Sequence, residues 1–271
     1  MNVWLKIQLF LLIAVLLSQC EKEPSGVSIP DNNFLQALIE LGIDTNGDGF
    51  ISENEAEAIT YLDVNGDSIS DLTGIEAFIN LDTLFCYNNQ LTSLDVTNNI
   101  ALIYLDFGRN QITAIDVTNN TTLEKLACHN NQLTTLDVSN NINLVYLSCS
   151  SNQLSSLNVS NNTALESFGC NNNQLTTLDI VNNVALEYLY CSHNQLTSLD
   201  VSNNYALKFL YCPWNLFASL DVSYNTALQN LFITGMPSLY KVCVWEIPFP
   251  PAGVIVEATG SPNVYFTTDC N

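Results

Sequence analysis

The sequence predicts a β-rich solenoid built from parallel strands, and three observations carry that prediction. Leucine returns every 21 residues through the middle of the chain, at Leu81, Leu102, Leu123, Leu144, Leu165, Leu186, Leu207 and Leu228. Every other apolar column keeps the same phase. Each repeat also carries a second half-motif without a helix-length segment, as in Leu91-Thr-Ser-Leu94-Asp-Val96, so the far side is expected to be extended too. Stacked turns of this kind share one continuous core.

The columns within one repeat have distinct roles. The repeat from Leu123 to Asn143 begins L-E-K-L-A-C-H-N-N-Q-L, which matches the leucine-rich-repeat frame with cysteine in the third apolar slot. The cysteine column comprises Cys86, Cys128, Cys149, Cys170, Cys191 and Cys212, with Phe107 substituting once. An asparagine column follows, at Asn89, Asn110, Asn131, Asn152, Asn173, Asn194 and Asn215. Its amides are expected to satisfy backbone groups where the chain leaves each strand.

The cysteines divide into two groups. Neighbouring cysteines of the column lie on adjacent parallel strands ~4.8 Å apart, whereas a disulfide needs a Cβ–Cβ distance of ~3.8 Å. These six are therefore predicted to be free, buried thiols. Cys243 and Cys270 lie outside the repeats and bracket a segment rich in proline and aromatic residues. We expect them to form a disulfide that closes a C-terminal cap, contributing ~3 kcal/mol.

A 21-residue leucine-rich repeat with a cysteine column resembles the internalins, a family of bacterial surface proteins. The resemblance covers roughly residues 59–242 and implies adhesion or binding at a cell surface, without naming a ligand. The predicted organisation is a signal peptide over 1–20, a linker over 21–28, an EF-hand-like cap over 29–58, repeats over 59–242 and a cap over 243–271. Two histidines, His129 and His193, lie three repeats apart, and no nucleophile–base spacing suggests an enzyme.

A calcium loop is predicted in the N-terminal cap. Residues 44–55 read D-T-N-G-D-G-F-I-S-E-N-E and fit the EF-hand pattern at every specified position. The expected Ca²⁺ ligands are side-chain oxygens of Asp44, Asn46 and Asp48, the carbonyl of Phe50, Ser52 directly or through water, and both carboxylate oxygens of Glu55. The apolar spacing over Pro30 to Leu41 predicts an amphipathic helix before the loop, and Glu53 to Ala58 a short helix at its end.

The next stretch admits two interpretations. Residues 59–72 fit the repeat frame as a degenerate first turn, with Ile59, Leu62 and Val64 in apolar slots. The alternative is a dockerin-like second calcium loop at Asp63, Asn65 and Asp67. That loop has Ser68 where glycine is required and Gly74 where the bidentate acid is required, so the degenerate repeat is favoured.

The N-terminus predicts export. Ile7 to Leu17 is an apolar run of signal-peptide length that follows Lys6, and it is shorter than the ~20 residues of a membrane span. The sequence Leu17-Ser18-Gln19-Cys20 resembles a bacterial lipobox, which implies lipidation of Cys20 and anchoring at the outer membrane or cell surface. Gln19 stands where such motifs usually carry a small residue. A secreted protein without the lipid is the alternative.

Composition restricts the partners. The chain has 27 acidic and 6 basic residues, a formal net charge of −21, and so lacks the basic surface that nucleic-acid binding needs. Part of the charge forms a column at Asp95, Asp116, Asp137, Asp179, Asp200 and Asp221, with Asn158 interrupting. Solvated carboxylates at strand spacing repel by only ~1 kcal/mol per pair, so a solvated row is favoured over weak divalent-ion binding.

The binding face is predicted from strand alternation. Residues between the leucine and cysteine columns point outward, and aromatic residues accumulate there in the later repeats, at Tyr146, Tyr188, Tyr190, Phe209, Tyr211, Trp214 and Phe232. We expect a monomer that binds a protein or carbohydrate partner through its concave strand-lined face, because exposed aromatic patches mark contact surfaces. Two alternatives remain. The rings could serve only cross-strand pairing, and the protein could be a calcium-stabilised structural lipoprotein of the envelope.

Overall fold

The computed structural model describes residues 26–270. The predicted signal peptide, Cys20 and most of the predicted linker lie outside these residues. Within them, the chain forms two short helices followed by thirteen strands of three residues each. No helix in the described range is long and apolar enough to cross a membrane.

The two helices form the N-terminal cap. Helix α1 (Asn32–Glu40) begins at Asp31, whose carboxylate accepts hydrogen bonds from the backbone N–H groups of Asn33 and Phe34. Helix α2 (Glu53–Glu57) begins at Ser52 with a capping box, in which Ser52 and Glu55 bond each other's backbone N–H groups. Residues 26–28, predicted to be linker, reach this cap, since the Val27 N–H donates to the Ile51 carbonyl at 2.7 Å.

The thirteen strands follow the N-terminal cap. Each turn contributes one strand to the main sheet, and the last turns contribute a second strand on the far side. Their bounds are β1 (Tyr61–Asp63), β2 (Thr83–Phe85), β3 (Tyr104–Asp106), β4 (Lys125–Ala127), β5 (Tyr146–Ser148), β6 (Ser167–Gly169), β7 (Tyr188–Tyr190), β8 (Phe209–Tyr211), β9 (Ser219–Asp221), β10 (Asn230–Phe232), β11 (Lys241–Cys243), β12 (Ile255–Glu257) and β13 (Tyr265–Thr267). A 3₁₀ turn (Ile75–Ala77) lies between β1 and β2.

Two parallel sheets result. The main sheet has ten strands in the order β1-β2-β3-β4-β5-β6-β7-β8-β10-β12. Its register pairs Leu105 with Leu126, so each 21-residue repeat forms one turn with one strand in this sheet. Leu62 pairs with Leu84, so residues 59–72 stack as the first turn. This agrees with the predicted solenoid of parallel strands.

The far side is less regular than the sequence suggested. Its sheet contains only three strands, in the order β13-β11-β9, at the C-terminal end. In the earlier turns described, the half-motifs form no strand, and a single bridge joins Asp200 to Asp221. The segment after Cys243, predicted to be a cap, adds β12 to the main sheet and β13 to the second sheet. It therefore continues the stacking of the repeats.

The predicted columns form the core. The leucine and cysteine columns are buried throughout, with Phe107 in the cysteine column also 0% exposed. The asparagine column bonds neighbouring turns, as Asn110 illustrates: its Nδ2 donates to the Cys86 and Phe107 carbonyls, and its Oδ1 accepts from the Leu91 N–H. This buried amide satisfies backbone groups of two turns, as the sequence predicted.

A second asparagine ladder lies on the opposite side of the core. It comprises Asn99, Asn120, Asn141, Asn162, Asn183, Asn204 and Asn225, all 0% exposed. The Nδ2 of Asn120 donates to the carbonyls of Val96 and Asn99 at 2.9 and 2.8 Å. The Oδ1 atoms of this ladder are buried without a hydrogen-bond partner. The same 21-residue period marks this ladder in the sequence, although it is not among the columns predicted from the sequence.

Candidate functional site

Four of the seven predicted face residues form one aromatic cluster on the main sheet. Tyr190 of β7 contacts Phe209 and Tyr211 of β8, with ring centroids 5.0 and 6.3 Å apart. Phe232 of β10 contacts Phe209 at 5.3 Å and Tyr211 at 5.5 Å. All four rings are half-buried. We call these four residues the C-terminal aromatic cluster. They offer one continuous apolar surface, and they also pack on one another.

Within the part of the chain that the structure describes, the other three predicted residues make no ring contact with that cluster, although Tyr188 pairs with Phe209 on the adjacent strand. Trp214 is 53% exposed and stacks on the His193 ring at 5.7 Å. Tyr188 is 39% exposed. Tyr146 lies on β5, two strands from Tyr190. The predicted face is thus one four-ring cluster together with three further aromatic side chains whose rings do not contact it.

A second aromatic cluster, which the predicted site did not include, lies at the other end of the sheet. Phe85 contacts Tyr61 at 5.7 Å and Tyr104 at 4.8 Å, both in edge-to-face geometry. Two of the few cations lie here: Lys125 approaches the Tyr104 ring and Arg109 the Tyr87 ring, each at 5.5 Å from the centroid. The sheet face therefore carries aromatic surfaces at both ends.

Small residues separate the two ends of the face. The outward positions of β5 and β6 include Ser148, Ser167 and Gly169. A cavity of about 300 Å³ opens there, with Tyr146 and Tyr190 among its lining residues. The sequence contains a signal for this cavity, because serine and glycine occupy outward positions of adjacent turns where earlier and later turns carry aromatic residues.

The predicted calcium loop folds onto its own backbone. Asp44 accepts from the N–H groups of Gly47 and Gly49 at 2.7 and 2.9 Å, and Asn46 and Asp48 each accept from the N–H two residues ahead. Gly47 and Gly49 have φ of 74° and 83°, where a side chain would be strained. The side-chain oxygens of Asp44, Asn46 and Asp48 keep free lone pairs, because each carboxylate or amide oxygen can accept more than one bond.

Glu55 has unexpected partners. It is 9% exposed, and its carboxylate accepts from the N–H and hydroxyl of Thr45 and from the N–H and hydroxyl of Ser52, at 2.7 to 2.9 Å. The Ser52 and Thr45 hydrogen bonds lower the pKa of Glu55 to about 2. Among residues 26–270, the carboxylates of Asp44, Asp48 and Glu55 do not all converge within 4.8 Å of one another. The oxygen-only donor set nevertheless fits a hard cation such as Ca²⁺.

The cysteines lie as the sequence predicted. Cys243 and Cys270 are joined in a disulfide with Cα atoms 5.6 Å apart. The six column cysteines are free and buried. Burial raises the pKa of Cys149 and Cys191 to about 12, so these thiols stay protonated at neutral pH and act as apolar core residues.

The aspartate column has a local structural role. Each aspartate accepts a hydrogen bond from the N–H two residues ahead, as Asp95 does from Thr97 at 3.0 Å. The hydroxyl of Thr97 donates to the same oxygen at 2.6 Å, and these bonds lower the pKa of Asp95. The column therefore stabilises the turn of each repeat. This local role favours a solvated row of carboxylates over a row that binds divalent ions.

The stacked turns and the buried columns together define a leucine-rich-repeat solenoid. The sequence is also similar to that of a known protein. Over 70 residues the chain is 40% identical to internalin J of Listeria monocytogenes serotype 4b (strain F2365), a match that covers 26% of this chain and 8% of that protein. No family model matches the chain.

Solved structures agree with this similarity. The functional domain of InlJ from Listeria monocytogenes, described as including a cysteine ladder, superposes with a TM-score of 0.67 at 31% identity, over 87% of this chain and 61% of that chain. A leucine-rich-repeat protein of Leptospira interrogans gives 0.65 at 21% identity, over 79% and 63%, which shows the fold alone. The chain spans less than two thirds of the length of each of these relatives. The chain is thus similar in fold and in part of its sequence to the leucine-rich-repeat domain of InlJ.

Proposed function

We propose that this chain is a non-enzymatic binding protein of the bacterial cell surface, and that its partner, a protein or a carbohydrate, contacts the aromatic face of the main sheet. The observation that carries the proposal is the C-terminal aromatic cluster, which places four half-buried rings side by side on an exposed face. Tyrosine and tryptophan are frequent energetic anchors of interfaces, and repeat proteins commonly bind through the strand-lined surface. The similarity to internalin J supports the same function.

The mutual packing of these rings supports a rival interpretation. Cross-strand aromatic pairs stabilise a sheet by themselves, and a calcium-stabilised structural lipoprotein would need nothing more. The two functions differ in what removal of the rings does. An interface loses binding and keeps most of its stability, whereas a purely structural cluster loses stability.

A paired-variant experiment tests the binding function. The variant Tyr190→Ala with Tyr211→Ala removes two cluster rings. The matched control, Phe85→Ala with Tyr104→Ala, removes two contacting rings at the other end of the same sheet. Binding of labelled protein to intact cells is measured together with the melting temperature. We expect the first variant to bind at least about tenfold more weakly, as for hot-spot aromatics, while the control retains binding. Undiminished binding by a first variant that melts much earlier would leave the structural function standing.

We further propose one structural Ca²⁺ in the loop, bound by Asp44, Asn46, Asp48, the Phe50 carbonyl, Ser52 and Glu55. For Glu55 to bind the ion with both oxygens, its carboxylate has to exchange hydrogen bonds from Thr45 and Ser52 for the metal. That exchange favours a weak site, on the order of 10⁻⁴ to 10⁻³ M as in other extracellular EF-hands. An ion of this kind stiffens the cap and is unsuited to intracellular signalling.

Calorimetry of Ca²⁺ binding tests the site. Glu55→Gln is expected to abolish the binding heat, since the bidentate charged ligand is lost. Glu53→Gln is the matched control, because Glu53 lies on the same helix α2 and is exposed. Equal affinity of wild type and Glu55→Gln would refute the site.

Export with a lipid on Cys20 completes the proposal, and secretion without the lipid is its alternative. The supporting features are the apolar run and the lipobox-like sequence, which lie outside the described residues. Partition of the exported protein into detergent, compared with a Cys20→Ser variant, separates the two. The lipid-anchored form requires that only the wild type enter the detergent phase.

A further inference from the structure

The cavity in the middle of the main sheet is open to solvent and lies between two tyrosine side chains, Tyr146 and Tyr190. It spans β5, β6 and β7, measures about 300 Å³, and is lined by Tyr146, Ser148, Ser150, Gly169, Asn171 and Tyr190 among others. Ligand pockets begin at about this volume. A volume of this size fits one ring-sized unit of a ligand and is too small for a folded surface.

Missing side chains create the floor of the cavity. Gly169 is paired with Ser148 on one side and with Tyr190 on the other, all in the same outward column. A Cβ atom at position 169 would lie 3.4 Å from the Ser150 Oγ, in contact already. Any larger side chain there would occupy the cavity. The aromatic rings of Tyr146 and Tyr190 are thus left standing on either side of a shallow floor.

The lining offers hydrogen bonds without formal charge. No aspartate, glutamate, lysine, arginine or histidine is among the lining residues. A tyrosine hydroxyl is a neutral donor at pH 7, and burial raises the pKa of Tyr190 further. Asn171 uses its Oδ1 to accept from the N–H and hydroxyl of Ser192, both at 2.8 Å. Within the described residues its Nδ2 has no hydrogen-bond partner, so two donor hydrogens remain for a ligand.

We propose that this cavity binds one neutral sugar unit of a glycan, with the sugar ring between Tyr146 and Tyr190 and its hydroxyls on the serines and Asn171. The inference rests on the proposed binding function of the same face and names its ligand class. The polarised C–H groups of a sugar ring complement the negative π face of tyrosine, and hydroxyl groups match a floor of uncharged donors and acceptors. The net charge of −21 disfavours acidic sugars, since like charges repel over the Debye length.

Saturation-transfer NMR and calorimetry test this assignment with defined probes. The probes are glucose, galactose, mannose, N-acetylglucosamine and their disaccharides as neutral sugars, glucuronic and N-acetylneuraminic acids as acidic sugars, and a random decapeptide pool. We expect at least one neutral sugar to bind, and neither acidic sugar nor the peptides to bind at this site. Gly169→Val fills the cavity with a residue that strands tolerate well and is expected to weaken sugar binding at least about tenfold.

Two further variants guard against misfolding. Ser148→Val fills the same floor from the neighbouring strand, and it is expected to weaken binding in the same way. Thr83→Val makes a β-branched change on the same face outside the cavity and is expected to bind as wild type. The melting temperature of each variant is measured alongside.

The outcomes separate this inference from the proposed function. Cell binding that depends on Tyr190 and Tyr211, with no neutral sugar bound, overturns the sugar site and leaves the binding function intact. If the wild-type protein binds neither cells nor a neutral sugar, the binding function and the sugar site are both refuted. Binding of only an acidic sugar or of peptides, or wild-type sugar affinity in folded Gly169→Val and Ser148→Val, also overturns the sugar site.

Discussion

The two ends of the solenoid are closed by different means. At the N-terminal end, helix α1 places Phe34 and Leu38 against the first turn, and both are 0% exposed. At the C-terminal end, Val256, Val264 and Phe266 of the last turn remain partly exposed. There the chain is held by the Cys243–Cys270 disulfide and by contacts of the Phe249 ring with Trp245 and Phe266, at 5.2 and 5.1 Å.

The difference shows that a repeat core can end by packing or by covalent closure. Each turn of a solenoid contacts only its neighbours, so a terminal turn lacks half of its support. A helix replaces that support with apolar area at the N-terminus. The C-terminal segment leaves Val256, Val264 and Phe266 partly exposed, so a bond that restricts its unfolded state compensates for the area it does not cover.

Removal of a buried aromatic side chain from helix α1 is expected to be the most destabilising change. Phe34→Ala should cost about 3–5 kcal/mol, as for other buried aromatic truncations, with the loss concentrated in the first turns. Hydrogen exchange resolves where protection falls, and thermal unfolding measures how much. Phe50→Ala is the control in the same cap, since Phe50 is 65% exposed, and it should be nearly neutral. Equal losses in the two variants would contradict the role assigned to α1.

Reduction of the disulfide should come second, at about 3 kcal/mol for a loop of this length. The expected loss of hydrogen-exchange protection is confined to the turn that contains β12 and β13. The double variant Cys243→Ser with Cys270→Ser supplies the control, because its six remaining described cysteines are free and buried. A reductant should lower the melting temperature of the wild type and leave the variant unchanged. An effect on the variant would reveal a second disulfide.

Loss of the Asp31 carboxylate should have a smaller effect. Its Oδ1 caps α1, and its Oδ2 accepts from the Ser70 hydroxyl at 2.7 Å and from the N–H groups of Ser70 and Asp71. Burial acts to raise the pKa of Asp31, but these hydrogen bonds outweigh it and the pKa is lowered. Asp31→Ala is expected to cost about 1 kcal/mol. Asp31→Asn keeps a capping oxygen and should retain most of the stability. If Asp31→Ala leaves the free energy of unfolding unchanged, packing alone holds the helix.

The pH dependence of the N-terminal cap is the mildest test. The folded pKa of Glu55 is about 2, below its ordinary value of 4.5. Its contribution to stability is therefore fully present above about pH 5 and is lost as the pH falls toward 2. Hydrogen exchange of α2 across this range should show a decline that Glu55→Gln abolishes. The C-terminal turn, whose disulfide does not titrate, should show no such dependence on Glu55.

Sequence periodicity was sufficient to predict the stacking and the core. In a parallel stack every turn repeats the same inward and outward positions, so a 21-residue period identifies buried residues such as Leu126 and Cys149 without any tertiary information. The same reasoning separated Cys243 and Cys270 from the free cysteines. The second asparagine ladder, which includes Asn99 and Asn120, follows the same period, but the period alone does not show that these amides are buried, because among the described residues no strand surrounds Asn99 or Asn120 on the far side.

Other features required the folded structure. The residue before each asparagine of the asparagine column has a positive φ, and these preceding residues include Arg109, His193 and Trp214, with φ of 51° to 58°. Composition does not predict left-handed backbone at such residues. Bonds to the next turn impose it, as when the Arg109 N–H donates to the His129 carbonyl at 2.8 Å.

The candidate sites divide in the same way. The sequence alone predicted the outward aromatic columns and the two cysteines that pair, because spacing along a repeating backbone assigns each residue to a face. The donor set proposed for Ca²⁺ came from the EF-hand spacing of residues 44–55. Only the tertiary structure decided that Glu55 is bonded to Thr45 and Ser52, that four rings form one cluster, and that a cavity opens over Gly169. The cluster and the cavity depend on side chains of neighbouring turns that meet across the stack, and the Glu55 hydrogen bonds depend on how the loop of the N-terminal cap folds. A one-dimensional period contains no information about either kind of contact.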